Sequence, residues 1–351
     1  MRIGFLGAGR IGAVHAATLA GLDGVDELLI GDADGARARA LAGAVGARAA
    51  AGVDEVFAAR PDALVIATAT ASHAALIARA ARAGLPTYCE KPIATDLPGT
   101  LAALRAVREA GTLLQLGFQR RFDAGYLAAR RALRAGELGR LHTIRAVTSD
   151  AAPPAADFLP ASGGLIRDCL VHDFDAVHWL TGRAVTEVFA TGSAAGAAYF
   201  RAAGDVDTAA AVLTLDDDTL VTATATRYNG AGYDVRTELA GERAQWVIGL
   251  GDRTPFASAE PGGPPGPAHP WRDFADRFQA AYRAELAAFL QAVRGERGNP
   301  CSGDEALSAL LVAEACELSR REHRPVQLSE VHALVDDLVD DLVPGPARDP
   351  S

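Results

Sequence analysis

Arg2-Ile3-Gly4-Phe5-Leu6-Gly7-Ala8-Gly9-Arg10-Ile11-Gly12 decides how the first third of this 351-residue chain folds. Arg2–Leu6 reads as a strand and Ile11–Leu19 as a helix. Between them Gly7, Gly9 and Gly12 complete a G-x-G-x-x-G run. The first glycine permits a tight turn, the second lets the backbone approach a pyrophosphate, and the third lets helix and strand pack closely. The helix N-terminus, opened by Arg10 and Ile11, supplies free N–H groups and a partial positive charge for phosphates. In a chain with 36 glycines the run alone could be a chance cluster, but here it follows a strand and opens a helix. A second strand, Glu27–Ile30, ends near Asp32, 20 residues beyond Gly12. A carboxylate there accepts hydrogen bonds from ribose hydroxyls and repels a 2′-phosphate, which favours NAD over NADP.

Outward from this turn, strands and helices alternate. A helix starts near Asp34. Ala63–Ala67 is a buried-type strand, Ser72–Ala83 a helix ended by Gly84, Thr87–Cys89 a strand, Leu97–Ala110 a helix and Leu113–Leu116 a strand. The alternation predicts an α/β, doubly wound parallel sheet of the Rossmann type. Beyond Gly117–Arg121 the pattern changes. Asp123–Ala135 reads as helix, Leu141–Thr148 as extended, and Gly164–Leu180 as one long helix. From Thr186 to Ile248 strand-like runs follow one another with no helix between them, and Asp216–Asp218 forms a hairpin-like turn. This predicts an α+β domain with a large, open, mostly antiparallel sheet. Glu260–Pro270 is a loop, followed by helices near Trp271–Arg294, Asp304–Arg321 and Val331–Val343. The domains are then 1–119 (NAD-binding) and 120–343 (substrate-binding and assembly), with 344–351 a flexible tail.

Composition narrows the function. Hydrophobic residues at 49% and charged residues at 22% are ordinary for a globular chain. A formal charge of −10 gives no overall attraction for phosphate backbones, so nucleic acid is not an expected partner. No apolar run approaches the ~20 residues that span a bilayer, and MRIGFLGAGR lacks the pattern of a signal peptide. Cys89, Cys169, Cys301 and Cys316 lie far apart without a CxxC pair, which fits reduced thiols in a cytoplasmic enzyme.

Candidate site residues lie at strand ends, where ligands bind in open α/β sheets. Thr68 and Thr70 follow ALVIA and His73 opens the next helix; for the threonines, loop and cap chemistry is as ready an explanation as cofactor contact. Glu90-Lys91-Pro92 follows the strand Thr87–Cys89. In the run Gly163–Asp175, helical spacing puts Asp168, His172, Asp175 and Trp179 on one stripe, while Leu170, Phe174 and Val177 face elsewhere. A stripe with two carboxylates and an imidazole suits a cleft wall better than a core. His172 could also be a structural histidine. Asp, His and Asp could bind zinc, but no further ligands cluster nearby, so no metal is expected. The types fit alcohol oxidation: an imidazole takes the hydroxyl proton, a carboxylate beside it fixes its tautomer, and an ammonium stabilises developing alkoxide charge.

The G-x-G-x-x-G turn, Glu90-Lys91-Pro92 and the Gly163-to-Asp175 run together make the chain resemble the Gfo/Idh/MocA oxidoreductases, over nearly its whole length. Gly117-Phe118-Gln119-Arg120-Arg121-Phe122-Asp123 and Gly232-Tyr233-Asp234-Val235-Arg236 are similar to segments of the myo-inositol 2-dehydrogenase-like members, with Gln119 a departure where those enzymes often carry Met. The resemblance implies an NAD-dependent oxidation of a cyclic polyol or sugar, inositol by preference. It implies a catalytic trio of Lys91, Asp168 and His172, with His172 as base, and cofactor contacts that include Glu90 and Lys91. It also implies substrate contacts from Arg120, Asp175 and Tyr233, and a homodimer or homotetramer through the open sheet. Asp150, in the Pro- and Ala-rich stretch 149–162, could touch a polyol or cap a loop. Rival readings are a keto-sugar reductase or another sugar dehydrogenase of the same family, and a non-catalytic NAD-binding sensor.

Overall fold

Ile3, Phe5 and Leu6 are completely buried, as a central parallel strand covered on both faces requires. They lie in β1 (Arg2–Leu6), the middle of a six-stranded sheet. The structure, a computed structural model, describes residues 1–342; the tail read at 344–351 lies outside the described residues. In the first half β1 is followed by α1 (Arg10–Ala20), β2 (Glu27–Gly31), α2 (Gly35–Val45), β3 (Arg48–Ala49) and α3 (Val53–Ala58). Then come β4 (Ala63–Ile66), α4 (His73–Arg82), β5 (Thr87–Glu90), α5 (Leu97–Ala110) and β6 (Leu114–Gly117). The strand order is β3-β2-β1-β4-β5-β6, every pair parallel. The order reverses between β1 and β4, and the crevice beyond their carboxyl ends is where a doubly wound sheet receives a dinucleotide.

The second half begins with α6 (Ala124–Arg134) and β7 (Leu141–Ser149), then α7 (Leu159–Ser162). A wide π-helical turn over Ile166–Leu170 runs into α8 (Val171–Thr181). Then follow β8 (Val185–Ser193), α9 (Ala198–Ala202), β9 (Thr208–Leu215), β10 (Leu220–Thr226), β11 (Asp234–Gly241) and β12 (Gln245–Ile248). The chain closes with α10 (Phe274–Val293), α11 (Gly303–Glu322), β13 (Val326–Gln327) and α12 (Leu328–Leu342). The seven-stranded sheet has the order β12-β11-β7-β10-β9-β8-β13 and is antiparallel except where β7 runs parallel to β10.

Two features differ from the sequence reading. The short helix α9 interrupts the strands between β8 and β9; five residues are too few to show a helical period, and buried Phe200 pins the turn in place. The long helix read over 164–180 is a π turn followed by an α-helix. Its i→i+5 bonding shifts the angular phase of everything after it.

The sheet's inner face, with Ile144, Ala146, Val221 and Ala223, packs into one core with α8, α11 and the β4–β6 side of the first sheet. A second core joins Ile3, Phe5, Ala63 and Val65 to Leu286, Phe289 and Leu290 of α10. The chain thus returns to seal the first domain, and the two halves share buried surface around the crevice. The outer face of the large sheet is bare: Phe189, Val212 and Leu220 are 43%, 46% and 48% exposed.

Candidate active site

The three glycines of the first turn have three different reasons to be there. Gly7 has φ +110°, and a Cβ on it would sit 2.3 Å from the Ala67 carbonyl oxygen. A Cβ on Gly12 would sit 2.1 Å from the Gly7 carbonyl oxygen. Gly9 caps α1, and a Cβ there would meet nothing within 4 Å. Sterics of the fold therefore account for Gly7 and Gly12, whereas Gly9 faces open space, the cradle a pyrophosphate needs. Asp32 braces the turn. Its Oδ2 accepts from the Ala8 N–H at 2.6 Å and its Oδ1 from the Asp34 N–H at 2.8 Å. Arg10 starts α1 with its guanidinium over the Phe274 ring, and Ile11 packs beside Tyr233 and Phe278. These residues fit NAD: the free N–H end of α1 for phosphates, and Asp32 at the end of β2 for a ribose.

The neighbouring strand ends are more structural than their positions imply. Thr68 Oγ1 pairs with Ser72 Oγ at 2.6 Å, and Thr70 opens a short 3-10 turn. His73 is buried with Nδ1 2.7 Å from the Pro92 carbonyl oxygen and Nε2 3.1 Å from that of Thr68. A neutral ring carries one N–H, so His73 donates to one of these carbonyls and abuts the other, lying between the end of β4 and the Lys91–Pro92 segment. Glu90 is likewise turned inward. Its Oε1 lies 2.6 Å from His15 Nε2, Tyr88 donates its hydroxyl to the same oxygen at 3.2 Å, and Oε2 accepts the Lys91 N–H at 3.2 Å. His15, Tyr88 and Glu285, none of them foreseen from the sequence, complete this buried cluster.

Lys91 and Asp168, 77 positions apart, meet. Lys91 Nζ donates to Asp168 Oδ1 and to the Asp168 carbonyl oxygen, both at 2.8 Å. Burial favours a neutral lysine, but the carboxylate outweighs it and keeps the ammonium charged. Burial likewise opposes an ionised Asp168, and the Lys91 and Arg227 charges hold its carboxyl well below the usual carboxylate range. His172 lies one turn on, its ring edge-to-face with Phe118 at 5.5 Å. Burial, then the Lys91 and Arg120 charges, push its imidazolium form out of favour, so the ring stands neutral. Its Nδ1 is buried without a partner among the described residues. No hydrogen bond joins it to Asp168, whose two oxygens are taken by Lys91 and Arg227. The carboxylate expected to fix the imidazole tautomer orients the lysine instead.

Arg120 and Asp175, expected at the substrate, are each held in a buried ion pair. Arg120 is 2% exposed; it pairs with Asp173 and donates to Thr148 Oγ1 at 2.8 Å. Asp175 receives Arg121 through Nε at 3.0 Å and Nη2 at 2.6 Å, and Arg121 also holds Glu305 at 2.8 Å. Two consecutive arginines thus take two carboxylates two positions apart, fastening the turn after β6 to α8. The sequence stripe splits within α8, beyond the π turn: Asp168 and His172 lie on the Lys91 side, while Asp175, three residues past His172, meets Arg121, and Trp179, about two turns past it, meets Arg130. Tyr233 is 7% exposed beside the crevice, close enough for Arg120 to act on its hydroxyl. Asp150 is at the cleft, its Oδ2 2.8 Å from Arg227 Nη1. Arg227 was missed, though the pairing of Thr226 with Ser149 across β10 and β7 sets it level with Asp150.

A family model described as an oxidoreductase family with an NAD-binding Rossmann fold matches residues 1–118, and the GFO/IDH/MocA C-terminal domain matches 126–247. Myo-inositol dehydrogenase Hyg17 of Streptomyces leeuwenhoekii is 41% identical over 90% of this chain and 96% of its own length. The chain belongs to the GFO/IDH/MocA oxidoreductase family. A second member, inositol 2-dehydrogenase of Rhizobium meliloti, is 34% identical over 94% of this chain and 99% of its own. Among solved members, scyllo-inositol dehydrogenase of Lactobacillus casei, with bound NAD(H) and scyllo-inositol, superposes with a TM-score of 0.84 at 27% identity. That match covers 94% of this chain and 99% of the other. Membership makes the first domain an NAD-binding one and the protein an oxidoreductase acting on CH–OH groups. Among the described residues no helix is long and apolar enough to cross a membrane.

Proposed function

We propose that this oxidoreductase oxidises a ring secondary alcohol of a cyclic polyol, an inositol first of all, with His172 as the proton acceptor. The observation that carries the reading is the convergence at one crevice of a charged Lys91, held by Asp168, and a neutral His172. NAD, when bound, supplies the hydride acceptor. The ammonium of Lys91 donates a hydrogen bond to the substrate hydroxyl oxygen and stabilises it as charge develops there. The neutral imidazole takes the hydroxyl proton. Asp150, with one oxygen on Arg227, offers the other to a neighbouring ring hydroxyl.

An uncharged substrate suits the site. Lys91, Arg120 and Arg227 are each already paired with carboxylates, so they offer no spare cation to a phosphate or carboxylate group. The inositol specificities in the names of the relatives agree with this. His172→Ala is expected to lose about 10²–10⁴-fold in kcat while still binding NAD. Turnover at the wild-type rate would remove His172 as base.

Assembly through the outer face of the large sheet completes the proposal. Phe189 pairs with Val212, Val212 with Thr222 and Thr222 with Arg145 in one row across β8, β9, β10 and β7. The exposed Phe189, Val212 and Leu220 at one end of this face are what a second copy would cover. Replacing Phe189 and Val212 with aspartate is expected to give monomers by light scattering. An unchanged mass would exclude this face.

A further inference from the structure

Arg227 follows β10 and is 4% exposed. Its main-chain N–H donates to the Asp207 carbonyl at 2.8 Å, which fixes the start of the side chain. Its Nη2 lies 2.7 Å from Asp168 Oδ2 and its Nη1 2.8 Å from Asp150 Oδ2. One rigid, planar guanidinium therefore holds two carboxylates from different elements, Asp168 on the π turn and Asp150 after β7. The result is an alternating chain of Lys91, Asp168, Arg227 and Asp150 along the cleft.

We infer that Arg227 is a positioning residue for the oxidation: it fixes the separation of Asp168, which aims Lys91, from Asp150, which meets the polyol. The inference rests on the polyol reading above. Lysine could not replace it, because a single ammonium on a flexible stem does not match two carboxylates in a fork geometry. The ionisable groups facing Asp168 are Lys91, Arg227, Asp150, Cys169 and His172. Removing Arg227 leaves Asp168 with Lys91 alone and Asp150 with only the charge of Arg10, which makes no hydrogen bond to it, so both must hold their protons more tightly.

The test uses the NAD-loaded protein, with Arg227→Gln and Arg227→Lys beside wild type. Each variant is expected to lose about 10²-fold in kcat/KM on an inositol. Asp150→Asn is expected to raise KM more than it lowers kcat. Carbon-13 NMR of labelled aspartates reads the second consequence without any substrate: the Asp168 and Asp150 titrations move to higher pH in Arg227→Gln. Should that variant fail to fold, Arg227→Lys decides. Wild-type kcat/KM together with unmoved aspartate titrations in either folded variant would overturn the inference. A wild-type enzyme that oxidises no polyol, with the titrations shifting as expected, would instead overturn the functional reading and leave Arg227 as the organiser of the carboxylates.

Discussion

Lys91 grips Asp168 twice, through the carboxylate and through the main-chain carbonyl of the same residue. A lysine held at two acceptors has lost most of the freedom of its stem, so its third N–H direction is set by the protein before any substrate arrives. Lys91→Met is therefore expected to lower kcat by about 10²–10³-fold, the scale of removing one preorganised donor. NAD affinity, measured by fluorescence titration, should change little. A large loss of NAD affinity with kcat preserved would contradict the role given to Lys91.

The pH dependence has a definite sign. Burial and the Lys91 and Arg120 charges lower the His172 pKa, so the ring loses its proton-accepting form only at a pH below its ordinary range. The acid limb of kcat/KM, which reports the free enzyme, should fall below the ordinary histidine value of about 6.5. A limb at or above that value would mean that His172 is more solvated than found, or paired with a carboxylate.

Arg120 and Asp173 form a pair with almost no exposure. Removing one partner leaves an uncompensated buried charge, which costs about 3–5 kcal/mol. Arg120→Met should lower the denaturation midpoint accordingly. If Arg120 instead reached the substrate, the same change would raise KM and leave stability nearly untouched.

The glycine turn separates folding from cofactor binding. Gly9→Ala places its methyl in open space, so stability without NAD should stay within about 0.5 kcal/mol while NAD binding weakens. Gly12→Ala drives its methyl to 2.1 Å from a carbonyl oxygen and should destabilise the apoprotein itself. Thermal melts with and without NAD distinguish the two.

The parallel domain was legible because its strands are buried on both faces and appear as continuous apolar runs, ALVIA above all, punctuated by glycine. The strands of the second sheet were legible from alternation, but not their order: nothing local places β7 between β11 and β10, parallel to one and antiparallel to the other. At the site, Lys91 was legible as a lysine at a strand end, and Asp168 and His172 as polar residues four apart in a helical pattern; that Lys91 meets Asp168 is a contact 77 positions long that no spacing shows. Asp175 misled because helical spacing shows which residues share a side of a helix but not which partner meets each turn; one turn beyond His172 that side meets Arg121 from the segment after β6. Arg227 could not be found by spacing, since its partners lie 59 and 77 positions away and meet it only through sheet register.

Hydride transfer from a polyol ring carbon at the Lys91–Asp168–His172 crevice can be followed by isotope. The most direct measurement mixes the purified protein and NAD with inositols deuterated at the ring carbons and follows both reduced nicotinamide absorbance and isotope transfer. The expected result is absorbance growth with at least one inositol, deuterium carried to the nicotinamide from one ring carbon, and loss of both in His172→Ala. Tight NAD binding with no reduced nicotinamide from any inositol would contradict it.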